Sequence, residues 1–108
     1  MQIEFKFHNL ESSDAIKSYA AEKMSKLDKY LRPPAEAHAT FAVERRVHCV
    51  DISVHAGGEH YMGRADGDDM YASIDIVIDK LLRQLHRTRD QHANHRRGPQ
   101  VGDSTPRE

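Results

Sequence analysis

Polarity alternates with a period of two over the first eight residues. Ile3, Phe5 and Phe7 fall on one side, and Gln2, Glu4, Lys6 and His8 on the other, the pattern of a strand with one buried face. The period then becomes helical: Ile16, Tyr19, Ala20, Met24, Leu27 and Leu31 form an apolar stripe across residues 14–31. Ser12 or Ser13 can cap this helix by accepting an otherwise unpaired amide hydrogen, and Asp14 sits where the helix dipole favours an anion. Arg32-Pro33-Pro34 ends it, because proline lacks an amide donor and restricts the residue before it.

Alternation resumes over 35–44, with Ala37, Ala39, Phe41 and Val43 inward and Glu36, His38, Thr40 and Glu44 outward. Arg45-Arg46 mark a hairpin bend. The next strand, about His48 to Ala56, turns Val50, Ile52, Val54 and Ala56 inward and Cys49, Asp51, Ser53 and His55 outward. Gly57-Gly58-Glu59 is a turn. A short strand from about His60 to Asp66 follows, and its Gly63 permits close approach of another element. Asp68 or Asp69 can cap a second helix running to about Gln91, whose buried stripe is Tyr71, Ile74, Ile78, Leu81 and Leu85.

The order β-α-β-β-β-α predicts an α+β two-layer sandwich. Its four-stranded mixed sheet has the first two strands parallel, the rest antiparallel, and two helices on one face. One domain is expected over residues 1–91, followed by a disordered polar tail over 92–108, where the apolar pattern stops and glycine and proline appear.

Composition narrows the setting. With 108 residues, 38% hydrophobic and 31% charged, the chain can fill one modest core. It contains no apolar run of bilayer length, and the opening strand lacks the regions of a signal peptide. Cys49 is the sole cysteine, so the expected location is the reducing cytoplasm, with the thiol a packing or surface residue.

The formal net charge of −1 argues against a uniformly basic nucleic-acid binder. The distribution argues the other way. Lys17, Lys23, Lys26, Lys29 and Arg32 share their stretch with only Glu22 and Asp28, and Lys80, Arg83, Arg87, Arg89, Arg96 and Arg97 share theirs with only Asp90. Lys23, Lys26 and Lys29 step along one flank of the first helix; Lys80, Arg83 and Arg87 step along the outward side of the second. A single basic row is an ordinary solvated face, and pairs such as Asp79–Arg83 or Asp75–Lys80 would absorb some of its charge. Two such rows side by side would form a groove or ridge matched to phosphates, with arginine able to fork onto phosphate oxygens. Aromatic residues make up only 6% of the chain, so phosphate and shape contacts should outweigh base stacking.

Catalysis has weaker support. Asp66, Asp68 and Asp69 are accounted for by turn and cap chemistry, and neither a phosphate loop nor a nucleophile elbow is present. His86, His92 and His95, and likewise His38, His48, His55 and His60, lack the spacing of a defined metal site. We expect a non-enzymatic protein with no metal and no cofactor.

Met1-Gln2-Ile3, the run Tyr19-Ala20-Ala21-Glu22-Lys23-Met24-Ser25-Lys26-Leu27, and above all Gly67-Asp68-Asp69-Met70-Tyr71-Ala72-Ser73-Ile74-Asp75 followed by Lys80-Leu81-Leu82-Arg83-Gln84-Leu85 resemble the ribosome hibernation-promoting factor family. That family includes the ribosome-associated inhibitor and was formerly described as sigma-factor modulation proteins. The resemblance spans roughly residues 1–91. It implies a fold similar to the double-stranded RNA-binding domain. It also implies binding to small-subunit rRNA at the decoding channel of mRNA and tRNA, steric inhibition of translation, and preservation of idle ribosomes in stationary phase or stress. The rRNA contacts it implies are Lys23, Lys26, Lys29, Lys80, Arg83 and Arg87.

The likeness is to the short family form. The chain ends before the C-terminal dimerisation domain of the long form, so that route to ribosome dimers is not expected. Action with a separate ribosome modulation factor and inactivation of single ribosomes both remain open. Neither DNA nor a membrane is an expected partner, and the free protein is expected to be monomeric. The alternative from another class is a protein-binding regulator, such as a transcription-factor modulator, that uses the exposed sheet face.

Overall fold

Four strands pair in chain order into one sheet, and both helices pack on the same apolar face. The computed structural model describes residues 1–96. Its elements are β1 (Gln2–His8), α1 (Asp14–Met24), a 3₁₀ segment (Ser25–Tyr30), β2 (Ala35–Glu44), β3 (Val47–Ala56), β4 (Glu59–Gly67) and α2 (Met70–Arg96). β1 runs parallel to β2, while β2–β3 and β3–β4 are antiparallel. The α+β architecture read from the periodicity is therefore the one observed, with the strand faces as expected.

Register lines up three apolar rows across the sheet. Phe7, Phe41, Val50 and Ala65 form one; Phe5, Ala39, Ile52 and Gly63 the next; Ile3, Ala37, Val54 and Tyr61 the third. Ile16, Ala20, Met24 and Leu27 cover this surface from the first helical stretch, and Ile74, Val77, Ile78, Leu81 and Leu85 from α2. Phe41, Met24, Leu27, Ile52 and Ile74 are fully buried, each contributing about 1.5–3 kcal/mol through removal of apolar surface from water. Small residues sit where helix approaches sheet. A Cβ at Gly63 would stand 3.1 Å from Val77 Cγ1 and 3.3 Å from the Val77 carbonyl oxygen.

Caps fix the helix starts. The Ile16 amide donates to Ser13 Oγ (3.2 Å), and the Tyr71 and Ala72 amides donate to Asp69 Oδ1 (2.9 and 3.4 Å), each satisfying groups a helix start leaves unpaired.

Three features differ from the sequence reading. The first helix does not run evenly to residue 31; it tightens to 3₁₀ geometry at Ser25, whose hydroxyl donates to the Glu22 carbonyl (2.6 Å) and competes with the regular helical bond. Tyr71 is not in the core: it is 39% exposed, at the seam between the helices, while Met70 and Val77 are buried in its place. α2 continues past Gln91 to Arg96. Apolar periodicity ends before this point, but no helix breaker occurs until Gly98-Pro99. The remainder of the expected tail, 97–108, lies outside the described residues.

Both hairpins have two-residue loops with positive φ: Gly57 and Gly58 at 55° and 80°, and Arg45 and Arg46 at 52° and 68°. Gly-Gly suits that conformation. Arg-Arg does not, because left-handed backbone costs a residue with a Cβ about 1–2 kcal/mol.

Replacing Gly63 by valine should lower stability by about 1–3 kcal/mol, since added side-chain volume must displace Val77 or the α2 backbone. A fall in the thermal unfolding midpoint, with far-UV circular dichroism unchanged at low temperature, would register this.

Candidate nucleic-acid interface

Two different sets of contacts hold the flanks of α2. On the α1 side, the Tyr19 hydroxyl donates to the Asp75 carboxylate, 2.9 Å from Oδ1 and 3.0 Å from Oδ2. Lys23 Nζ stands 3.8 Å from Asp75 Oδ1 and 5.2 Å above the Tyr19 ring. The Tyr19 ring meets Tyr71 edge-on at 4.9 Å, and Tyr30 meets His86 likewise at 5.0 Å. The hydrogen bond to Asp75, followed by burial and the Asp75 charge, raises the Tyr19 pKa above 10.0, because the neutral phenol is the form that can donate.

On the other side, α2 closes the edge of the sheet. Among the described residues β4 pairs only with β3, which would leave a row of backbone groups open. Gln84 Oε1 accepts from the Met62 amide at 3.2 Å while Gln84 Nε2 donates to the Met62 carbonyl. One turn earlier, Lys80 Nζ donates to the Arg64 carbonyl at 2.6 Å. The carboxamide thus imitates a neighbouring strand.

These contacts divide the six candidate cations. Lys23 is held at the helix seam by Asp75, and Lys80 is held on the β4 edge. Neither of the pairs Asp79–Arg83 and Asp75–Lys80 forms among the described residues. Lys26 and Lys29 are exposed on the 3₁₀ segment, where residues three apart eclipse one another, and Lys29 Nζ lies 5.4 Å over the Tyr30 ring. Arg83 and Arg87 are exposed on α2. Among the described residues, Lys26, Arg83 and Arg87 have no internal hydrogen bond or ion pair.

The structure brings Lys80, Arg83 and Arg87 together along an open groove of about 460 Å³, with Glu59, His60 and Tyr61 of β4 on its opposite wall. It does not join the two basic rows across the helix seam, because Asp75 occupies that seam and the α2 row turns toward β4. Sequence reasoning missed Gln84, although its four-residue step from Lys80 puts both on one flank. It also missed His60, which only the strand register brings to the groove. Arg32, read as the end of the first helix and of its basic stretch but not as a site residue, is exposed and lines a small cavity with Leu85 and Thr88 of α2.

The acidic and thiol groups serve other roles. Asp69 caps α2, and Asp66 pairs with Arg64 at 3.8 Å. No group of three or more His, Cys, Asp or Glu suited to hold a metal occurs among the described residues. The Cys49 thiol is hydrogen-bonded to Asp66, which together with burial raises its pKa and suppresses the nucleophilic thiolate. No described helix is long and apolar enough to cross a membrane.

Residues 3–93 match the family described as sigma 54 modulation protein / S30EA ribosomal protein. The chain is 36% identical over 95 residues to the ribosome hibernation promoting factor of Salmonella typhimurium, covering 88% of this chain and 100% of that one. It is 30% identical over 104 residues to the factor of the same name from Azotobacter vinelandii, covering 96% and 97%. Among solved structures, the N-terminal domain of Thermus thermophilus Protein Y superposes with a TM-score of 0.75 at 28% identity, covering 82% of this chain and 99% of that one. A ribosomal subunit interface protein from Coxiella burnetii shares the fold, with a TM-score of 0.73 at 23% identity over 83% and 99% of the chains.

The Tyr19–Asp75 bond makes a titration testable. A raised phenol pKa contributes stability that is complete below pH 10.0 and lost as pH rises through the folded-state value. Ultraviolet titration, taken as the difference between wild type and Tyr19→Phe, should place the Tyr19 midpoint above 10.0, and Asp75→Asn should return it toward that value. An identical midpoint in both backgrounds would remove the clamp.

Proposed function

The chain belongs to the sigma 54 modulation protein / S30EA ribosomal protein family, and from that premise we propose that it is a ribosome hibernation factor: it binds small-subunit rRNA, inhibits translation and preserves idle ribosomes in stationary phase or stress. The observation that carries this reading is the set of exposed cations on the helical layer, Lys26, Arg83 and Arg87, that have no internal partner among the described residues. Such charges are available to an external polyanion. Phosphates supply that charge, and release of their counterions drives association.

The binding unit is residues 1–91. It acts in the cytoplasm, without cofactor or catalytic chemistry, by filling the decoding channel that mRNA and tRNA would otherwise occupy. Arg83 and Arg87 fork onto phosphate oxygens from the α2–β4 groove, while Lys26 and Lys29 add point charges from the 3₁₀ segment. Lys23 and Lys80 contribute field, but their positions are set by Asp75 and the Arg64 carbonyl. They are therefore the weaker members of the candidate set.

Co-sedimentation with small ribosomal subunits tests the reading. Wild-type binding should weaken steeply as salt rises, roughly in proportion to the number of phosphates contacted. The charge-reversed Lys26→Glu/Arg83→Glu variant should lose binding while retaining its circular dichroism spectrum. Retention of ribosome binding by that variant would overturn the site, and wild-type binding insensitive to salt would overturn the rRNA target.

A further inference from the structure

The tip of the β2–β3 hairpin is not explained by anything inside the fold. Glu44 pairs with Val47, so Arg45 and Arg46 alone form the loop. Both are exposed, and both hold positive φ, 52° and 68°. The other two-residue hairpin solves the same problem with Gly57-Gly58, the residue type that adopts this backbone freely. Among the described residues, neither arginine side chain has a hydrogen bond, ion pair or ring contact that would offset the unfavourable backbone. Persistent unfavourable backbone at an exposed site is a recurrent sign of function.

We propose that Arg45-Arg46 is a second phosphate-binding site, contacting the backbone of the same RNA at a point remote from the helical cations. This rests on the reading of rRNA as the ligand. β3 runs from the Arg-Arg tip at Val47 to Ala56 beside the Gly57 turn, a span of about 30 Å at the rise of a strand. The Arg83–Arg87 groove includes Glu59 and His60, at that far end. The tip therefore reaches phosphates that the groove cannot. Its short hairpin between two long strands restrains the backbone that carries the two guanidinium groups, each able to make a charge-assisted contact with phosphate. Arginine at both positions gives the contact ten donors on a scaffold that the fold alone would build from Asn-Gly.

The test is the double variant Arg45→Asn/Arg46→Gly, whose residues suit the turn. Two readouts should move in opposite directions. The thermal unfolding midpoint of the free protein should rise, while the Kd for purified small subunits should increase on the order of tenfold at moderate salt. The slope of log K against log salt should shrink by about 1.4–1.8, the effect of two lost phosphate contacts. Arg45→Lys/Arg46→Lys should keep most of that slope without the gain in thermal midpoint.

Unchanged affinity of the Asn-Gly variant would overturn the site. Weaker binding with an unchanged salt slope would assign the tip to a ribosomal protein instead. An unchanged thermal midpoint would remove the premise of an unfavourable turn. Failure of wild type itself to bind subunits would fall on the proposed function, whereas loss of binding in Lys26→Glu/Arg83→Glu with none in the tip variant would fall on this inference alone.

Discussion

The seating of α2 on the β3–β4 half of the sheet is the contact on which the remaining geometry depends. Gly63 has no side chain to hold the helix away, so Val77 and Leu81 settle directly over the strand. That closeness brings Gln84 and Lys80 within reach of the β4 edge. The same seating fixes the rotation of α2 about its axis. Asp75 then faces α1, and the Arg83–Arg87 groove faces away from it. A side chain at position 63 would disturb the core, the covered edge and the cationic groove together.

Within a net charge of −1, some of the carboxylates are engaged inside the fold. Asp69 caps α2, Asp75 joins the helices, Asp66 lies beside Arg64 and the Cys49 thiol, Asp28 meets the chain N-terminus at 3.8 Å, and Glu4 meets His38 at 3.1 Å. Several of the cations have no such engagement. Bulk charge describes solubility; the potential seen by a ligand depends on which charges the fold has already neutralised.

Alternation and helical spacing made the layers legible, and Gly63 could be read as a place of close approach from sequence alone. The caps were legible as pairs of candidates, Ser12 or Ser13 and Asp68 or Asp69; only geometry selects the second of each. Tyr71 was misplaced because periodicity assigns it to the apolar stripe without showing that a second helix takes the adjoining flank. The cationic site was legible as residue types but not as an arrangement. Where Lys23 and Lys80 point is decided by Asp75 and by a strand-edge carbonyl, and both are long-range contacts. His60 enters through register, which a linear pattern does not contain.

The shift from α to 3₁₀ geometry at Ser25 changes what a spacing of three residues means. In an α-helix, side chains at that spacing wind slowly around the axis. In a 3₁₀ segment they superimpose, and Lys26 and Lys29 become a straight file with a repeat of about 6 Å along the axis. A local change of backbone pitch, beginning where the Ser25 hydroxyl donates to the Glu22 carbonyl, thereby aligns two charges that an α-helix would offset. The spacing of those two charges along the axis thus follows from the backbone pitch and not from any contact between the side chains.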